Sequence, residues 1–146
     1  MNMNIRIAVT QDFPGVLSLF HQLWPGRVLN EPAMKTVFER GLNSNTDLYL
    51  CAELDGHLIG FSAYAIMNNF WQEGRIAYVY AMIVDEEQRG KGIGSELLKT
   101  AFVHAQKSGC KRIELDSGFP REKAHRFYME KMGFEKRAFL FSRDLL

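Results

Sequence analysis

The chain has little of what would take it out of the ordinary globular class. No run approaches the ~20 apolar residues needed to cross a bilayer, which excludes a helical membrane span. Only two cysteines occur, Cys51 and Cys110, far apart and without metal-ligand spacing. A disulfide framework and a cysteine metal centre are therefore not expected, and the thiols read as reduced with no metal. Neither sign of charge dominates: 18 Lys and Arg against 17 Asp and Glu leave +1, with no long block of either. That removes the electrostatic footprint of a nucleic-acid or anionic-membrane partner. The opening Met-Asn-Met-Asn-Ile-Arg-Ile lacks the apolar stretch of a secretion signal, so a cytoplasmic location is expected. Internal repeats and low-complexity segments are missing too. At 146 residues and 47% apolar content, a single domain over 1–146 with an unstapled core is expected.

What is present alternates between strand and helix patterns. Ile5 to Ala8 predicts a first strand. Thr10 or Asp12 can cap a helix carrying Val16, Leu17, Leu19, Phe20 and Leu23, which Trp24-Pro25-Gly26 stops. Asn30 or Glu31 with Pro32 opens a second helix, with Met34, Val37, Phe38 and Leu42 inward. Leu48 to Leu54 and Leu58 to Met67 read as strands joined by Asp55-Gly56, a hairpin signal. Ala77 to Val84 reads as a largely buried strand. Ile93, Leu97, Leu98, Ala101, Phe102 and Ala105 recur at helical spacing up to Gly109. Arg112 to Asp116 predicts a strand, Pro120 to Gly133 a helix, and Phe139 to Ser142 a final strand. The class is α/β (α+β): a mixed, mostly antiparallel sheet of about six to seven strands flanked by about four helices.

The chemistry concentrates between Val84 and Ser95, where a strand gives way to a charged turn and then to a helix with three glycines. Gly90, Gly92 and Gly94 leave no β-carbons in the way, so backbone N–H groups can converge on an anion at a positive helix N-terminus. Arg89 and Lys91 add full charges. A nucleoside-triphosphate loop needs Ser or Thr after its Gly-Lys, but Gly92 follows Lys91. A dinucleotide loop fits Gly90-x-Gly92-x-x-Ser95 more nearly, with Asp116 near the distance of a ribose-binding acid. It usually opens a longer series of βα units than the roughly fifty residues after Gly94 can hold. A tight turn that merely starts a helix would use the same glycines.

Arg89-Gly90-Lys91-Gly92-Ile93-Gly94 resembles, without a gap, the Gln/Arg-x-x-Gly-x-Gly/Ala loop of the GCN5-related N-acetyltransferases. Ala124-His125-Arg126-Phe127-Tyr128, followed by Gly133-Phe134, is similar to that family's later helix and its exit. The two blocks cover about residue 76 to the C-terminus. The resemblance implies the GNAT fold and transfer of acetyl from acetyl-coenzyme A, as co-substrate, to a primary amine. It implies a cofactor site of Met82, Ile83 and Val84 for the pantetheine arm, Arg89, Gly90, Lys91, Gly92, Ile93, Gly94 and Ser95 for the pyrophosphate, and Phe127 beside them.

Tyr128 is the residue implied as general acid to the departing thiolate. The family usually has three residues between this tyrosine and the Gly of Gly-Phe; this chain has four, Met129 to Met132. Where many members place a glutamate as base, Tyr80 and Ala81 stand, leaving Tyr80, Asp116 with Ser117, Glu73, His57 or water to take the proton. Glu114-Leu115, Arg121 and the tail look like branches that acetylate aminoalkylphosphonates or aminoglycosides, which favours a small amine. Alternatives are a protein N-terminal or lysine acetyltransferase, an acetyl-coenzyme A binding module without turnover, and a nucleotide or redox protein. The first two helices and the loop Asn68 to Glu73, with Trp24, Phe70 and Trp71 as walls, are expected to form the acceptor pocket, which a homodimer would complete.

Overall fold

Long alternating stretches between residues 47 and 84 build the centre of the molecule. A computed structural model describes residues 2–146. Its five strands are β1 (Met3–Ile7), β2 (Asp47–Leu54), β3 (His57–Asn69), β4 (Gly74–Val84) and β5 (Cys110–Leu115). They lie in one sheet in that order. β1 to β4 run antiparallel. The helix α3 (Ile93–Lys107) carries the chain from β4 to β5, its neighbour in the sheet. The expected α/β class and mixed sheet are therefore present, with fewer strands than expected.

Ahead of β2 stand α1 (Phe13–Leu23) and α2 (Glu31–Leu42). Asn30 caps α2, its Oδ1 accepting the Ala33 N–H at 3.0 Å. Asp12 does not cap α1 in this way. Its carboxylate takes both Arg6 terminal nitrogens at 2.8 Å and the Val9 N–H at 2.8 Å. β1 begins before Ile5, and Ala8 lies past its end, donating its N–H to the Tyr49 carbonyl at 2.9 Å.

Strand side chains alternate between faces, and the sheet uses both. Cys51, Phe61, Ala63 and Ile83 join Val16 and Leu19 of α1 and Phe38 of α2 in one core cluster. Gly60 lies on the opposite face, under Ile93 and Leu97 of α3, both almost fully buried. Such side chains each contribute about 1.5–3 kcal/mol. Gly41 of α2 comes so close to the Tyr49 ring that a Cβ there would overlap it, at 2.0 Å from the hydroxyl oxygen. The approach lets the Tyr49 hydroxyl donate to the Val37 carbonyl at 3.0 Å.

The chain divides into two compact units, one running to Glu114 and the other Leu115–Leu146. In the second, the helix expected from Pro120 to Gly133 is instead a short α4 (Glu122–Arg126) followed by a π turn over Phe127–Lys131. The Met132 N–H donates to the Phe127 carbonyl, five residues back, at 3.2 Å. The Phe134 N–H then closes on the Tyr128 carbonyl at 2.9 Å around Gly133, at φ +76°. The strand expected over Phe139 to Ser142 is not formed. A strand needs a paired edge, and these residues form no ladder, leaving Phe139, Leu140 and Phe141 exposed.

Candidate active site

The turn that leaves β4 is held from several directions. Asp85 accepts the Glu87 N–H through Oδ1 at 2.9 Å and the Gln88 N–H through its carbonyl at 2.8 Å. Gln22 of α1 accepts the Glu86 N–H at 2.9 Å. Arg89 then folds back, and Nε donates to the Val84 carbonyl at 3.1 Å. Lys91 extends to Gln88 Oε1 at 3.1 Å and stays exposed. Gly90 and Gly92 have φ of +80° and +84°, and a Cβ at either would meet nothing within 4 Å. Space therefore lies open over backbone that only glycine adopts without strain. Gly92 begins α3 without a side-chain cap, and the first turn of Ile93, Gly94 and Ser95 carries the positive end of the helix dipole. Ile93 is buried and fixes that end on the sheet.

Met82, Ile83 and Val84 are the last residues of β4, paired with Ser62, Phe61 and Gly60 of β3. Just before them the register passes from Ala63 opposite Ala81 to Tyr64 opposite Val79. Tyr80 is thus the extra residue of a β-bulge, a device that re-aims side chains and is frequent beside active sites. Its hydroxyl donates a hydrogen bond to Asp47 Oδ2 and lies 3.4 Å from the Tyr49 hydroxyl. Burial first, then the Asp47 carboxylate, pushes the Tyr80 phenol far above its ordinary pKa, so it stays protonated. The other Asp47 oxygen accepts from Ser44 Oγ at 2.9 Å and Thr46 Oγ1 at 3.3 Å. Asp47 went unrecognised in the sequence, where it closes a polar loop 33 residues from Tyr80.

The other expected bases stand differently. His57 opens β3 beside the hairpin turn, exposed, and Glu73 sits in the β3–β4 turn at φ +53°. Phe70 and Trp71, expected as pocket walls, project fully or largely into solvent at that same turn. Trp24 does line a cavity, about 240 Å³ in volume, with Met34, Val37 and their neighbours in α2 and the segment before it. A larger cleft of about 450 Å³ lies between α1, the β2–β3 hairpin and the turn at Asp85 and Gln88.

In the second unit Asp116 follows β5 and is exposed, whereas Tyr128 is 7% exposed. Tyr128 packs against Phe127 and Phe134, with ring centroids 5.5 and 5.8 Å away. Burial raises its pKa, partly offset by Arg121, so the phenol is a proton donor at neutral pH. The strand, loop and helix thus bring together Met82 to Val84 and Arg89 to Ser95, with Tyr80 immediately upstream.

A mixed sheet whose bulged strand runs through an open glycine loop into a helix without a side-chain cap defines an α/β protein. The sequence profile of the acetyltransferase (GNAT) family matches residues 13–134, and the chain belongs to that family. Its class is that of the N-acetyltransferases. The aminoalkylphosphonate N-acetyltransferase of Salmonella typhimurium is 28% identical over 141 residues, covering 97% of this chain and 90% of its own. An acetyltransferase of Pectobacterium atrosepticum is 32% identical over 113 residues, covering 77% of this chain and 74% of its own. Among solved structures, the aminoglycoside N-acetyltransferase AAC(6')-Iy in complex with CoA has the same fold. It matches with a TM-score of 0.87 at 21% identity over 99% of this chain and 96% of its own.

Proposed function

We propose that this protein transfers acetyl from acetyl-coenzyme A to the primary amine of a small molecule in the cytoplasm. The observation that carries the proposal is the open space over Gly90 and Gly92 at the uncapped start of α3, in a chain of this family. The pyrophosphate of the cofactor would be met there by backbone N–H groups. Met82 to Val84 would carry the pantetheine arm, and the family resemblance assigns Phe127 to the cofactor as well. The small-amine class is supported by the aminoalkylphosphonate and aminoglycoside enzymes to which the chain is similar.

Direct attack makes two demands. The leaving thiolate comes from a thiol of pKa ~8.5, and a protonated phenol can donate to it. Tyr128 supplies such a phenol, its pKa raised by burial. The attacking amine must be neutral. With a pKa of ~10.4, about one molecule in 2,500 is free base at pH 7, a penalty of about 4–5 kcal/mol that a base offsets.

Thermal unfolding with acetyl-coenzyme A, coenzyme A, NAD and ATP tests the site. A ligand at ~100 times its Kd adds about 2.7 kcal/mol. A shift confined to the two coenzyme A species, followed by thiol release when 2-aminoethylphosphonate or neamine is added, is the expected result. A shift with NAD or ATP instead would overturn the assignment. Thiol release only with peptide N-termini or lysines would move the substrate to proteins.

A further inference from the structure

Tyr80 and Asp47 belong to different strands, and the bulge is what joins them. In an unbroken strand neighbouring side chains alternate between faces. Here Ala81 packs against the core cluster under α1 and α2, and the Tyr80 hydroxyl reaches Tyr49, a member of that cluster. Two consecutive residues therefore serve one face. The Tyr80 ring crosses over β3 to the first residue of β2, where Ser44 and Thr46 hold Asp47 from its other side.

The same network leads toward α2. Tyr49, 3.4 Å from the Tyr80 hydroxyl, donates to the Val37 carbonyl, and Val37 lines the apolar cavity beside Trp24 and Met34. Tyr80 is 39% exposed and stands two residues before Met82, on the strand that the proposed function gives to the cofactor arm. A partly exposed phenol backed by a carboxylate that other side chains hold in place has the geometry to pass a proton outward.

We propose that Tyr80 and Asp47 form a relay that takes the proton from the acceptor amine, with Tyr80 touching the nitrogen and Asp47 acting through it. This rests on the proposed acetyl transfer. As the nitrogen–carbon bond forms and the carbon–sulfur bond breaks, the nitrogen gives its proton to the Tyr80 oxygen. Tyr80 passes its own proton to Asp47 Oδ2. The phenol is restored, and the neutral Asp47 returns the proton to water. Asp47 is the positioning and storage partner, and Tyr80 is the catalytic residue.

The test compares Tyr80→Phe, Asp47→Asn, Asp47→Glu and the double variant Tyr80→Phe/Asp47→Asn by thiol release with 2-aminoethylphosphonate or neamine. Asparagine keeps an oxygen acceptor for Tyr80 but cannot store a proton. The relay predicts kcat lowered about 100-fold in each of Tyr80→Phe and Asp47→Asn, the scale of general-base catalysis. KM for acetyl-coenzyme A stays within twofold, and Asp47→Glu recovers part of the rate. The double variant should fall no further than the singles, because the two act as a unit. Singles within threefold of wild type, or losses that multiply in the double variant, would overturn the relay. An unimpaired thermal shift with acetyl-coenzyme A reports folding of each variant. If Asp47→Asn fails that check, Tyr80→Phe decides alone. A wild-type protein that binds acetyl-coenzyme A but releases no thiol with either amine would overturn the small-amine assignment, and the relay with it.

Discussion

Arg89 donates through Nε to the carbonyl oxygen of Val84 at 3.1 Å, fastening the first residue of the glycine loop to the last residue of β4. Its charge is thereby held beside the open space over Gly90. Arg89→Ala removes both the fastening and a charge next to the position proposed for the pyrophosphate. The expected outcome is a five- to thirtyfold higher KM for acetyl-coenzyme A, about 1–2 kcal/mol, with kcat held within threefold. Steady-state kinetics with acetyl-coenzyme A as the varied substrate measures it.

Gly92 has a different weight. With φ at +84° it strains under any side chain, and a glutamate would also put a negative charge where the proposed function places the cofactor's pyrophosphate. Gly92→Glu should abolish the thermal shift with acetyl-coenzyme A. Calorimetric titration showing undiminished affinity would remove the loop from the cofactor site.

Tyr128 should separate rate from affinity. Tyr128→Phe keeps the ring contacts to Phe127 and Phe134 and loses only the donor. About a 100-fold lower kcat with cofactor affinity unchanged is expected for a lost general acid. A wild-type rate in this variant would assign the ring to packing alone.

Acid should act on the fold through Asp12. The Arg6 hydrogen bonds hold its carboxylate below the ordinary value of 3.8, and the side chain is largely buried. A depressed folded pKa means that the unfolded chain takes up the proton first. The contribution is therefore present above about pH 4 and is lost as pH falls through the folded value. Asp12→Asn should cost about 1–3 kcal/mol at pH 7, less than a fully buried pair because Arg6 is partly exposed. It should also flatten the dependence of stability on pH below 4. Denaturant midpoints at pH 7 and pH 3 provide the check.

Much of this architecture was legible in the sequence because periodicity and turn chemistry are local. The Asp55-Gly56 turn, the Asn30 cap and the glycine loop all depend on a few adjacent residues. Tyr80 and Asp47 could not be joined that way. They are 33 residues apart, and the bulge breaks the parity by which strand side chains are assigned to faces. The extra residue between Tyr128 and Gly133 was visible as a count, but its accommodation was not. Helical spacing presumes i→i+4 bonding, whereas the segment closes through a wider turn that keeps Tyr128 buried. Phe139 to Ser142 reads as a strand by composition, and composition does not supply an edge to pair with.

Tyr80 and Tyr128 share one circumstance: each lies where its element holds one residue more than a regular strand or helix would. Removing the surplus residue at either place would restore unbroken bonding, and the shortened chain should withstand heat or denaturant at least as well as the parent. In β4 the surplus residue is Tyr80 itself, so its removal deletes that phenol, whereas one residue fewer in the wide turn would rotate Tyr128 away from Phe127 and Phe134. Under the roles proposed for the two phenols, screening for robustness alone would select against activity, with durability rising as turnover falls.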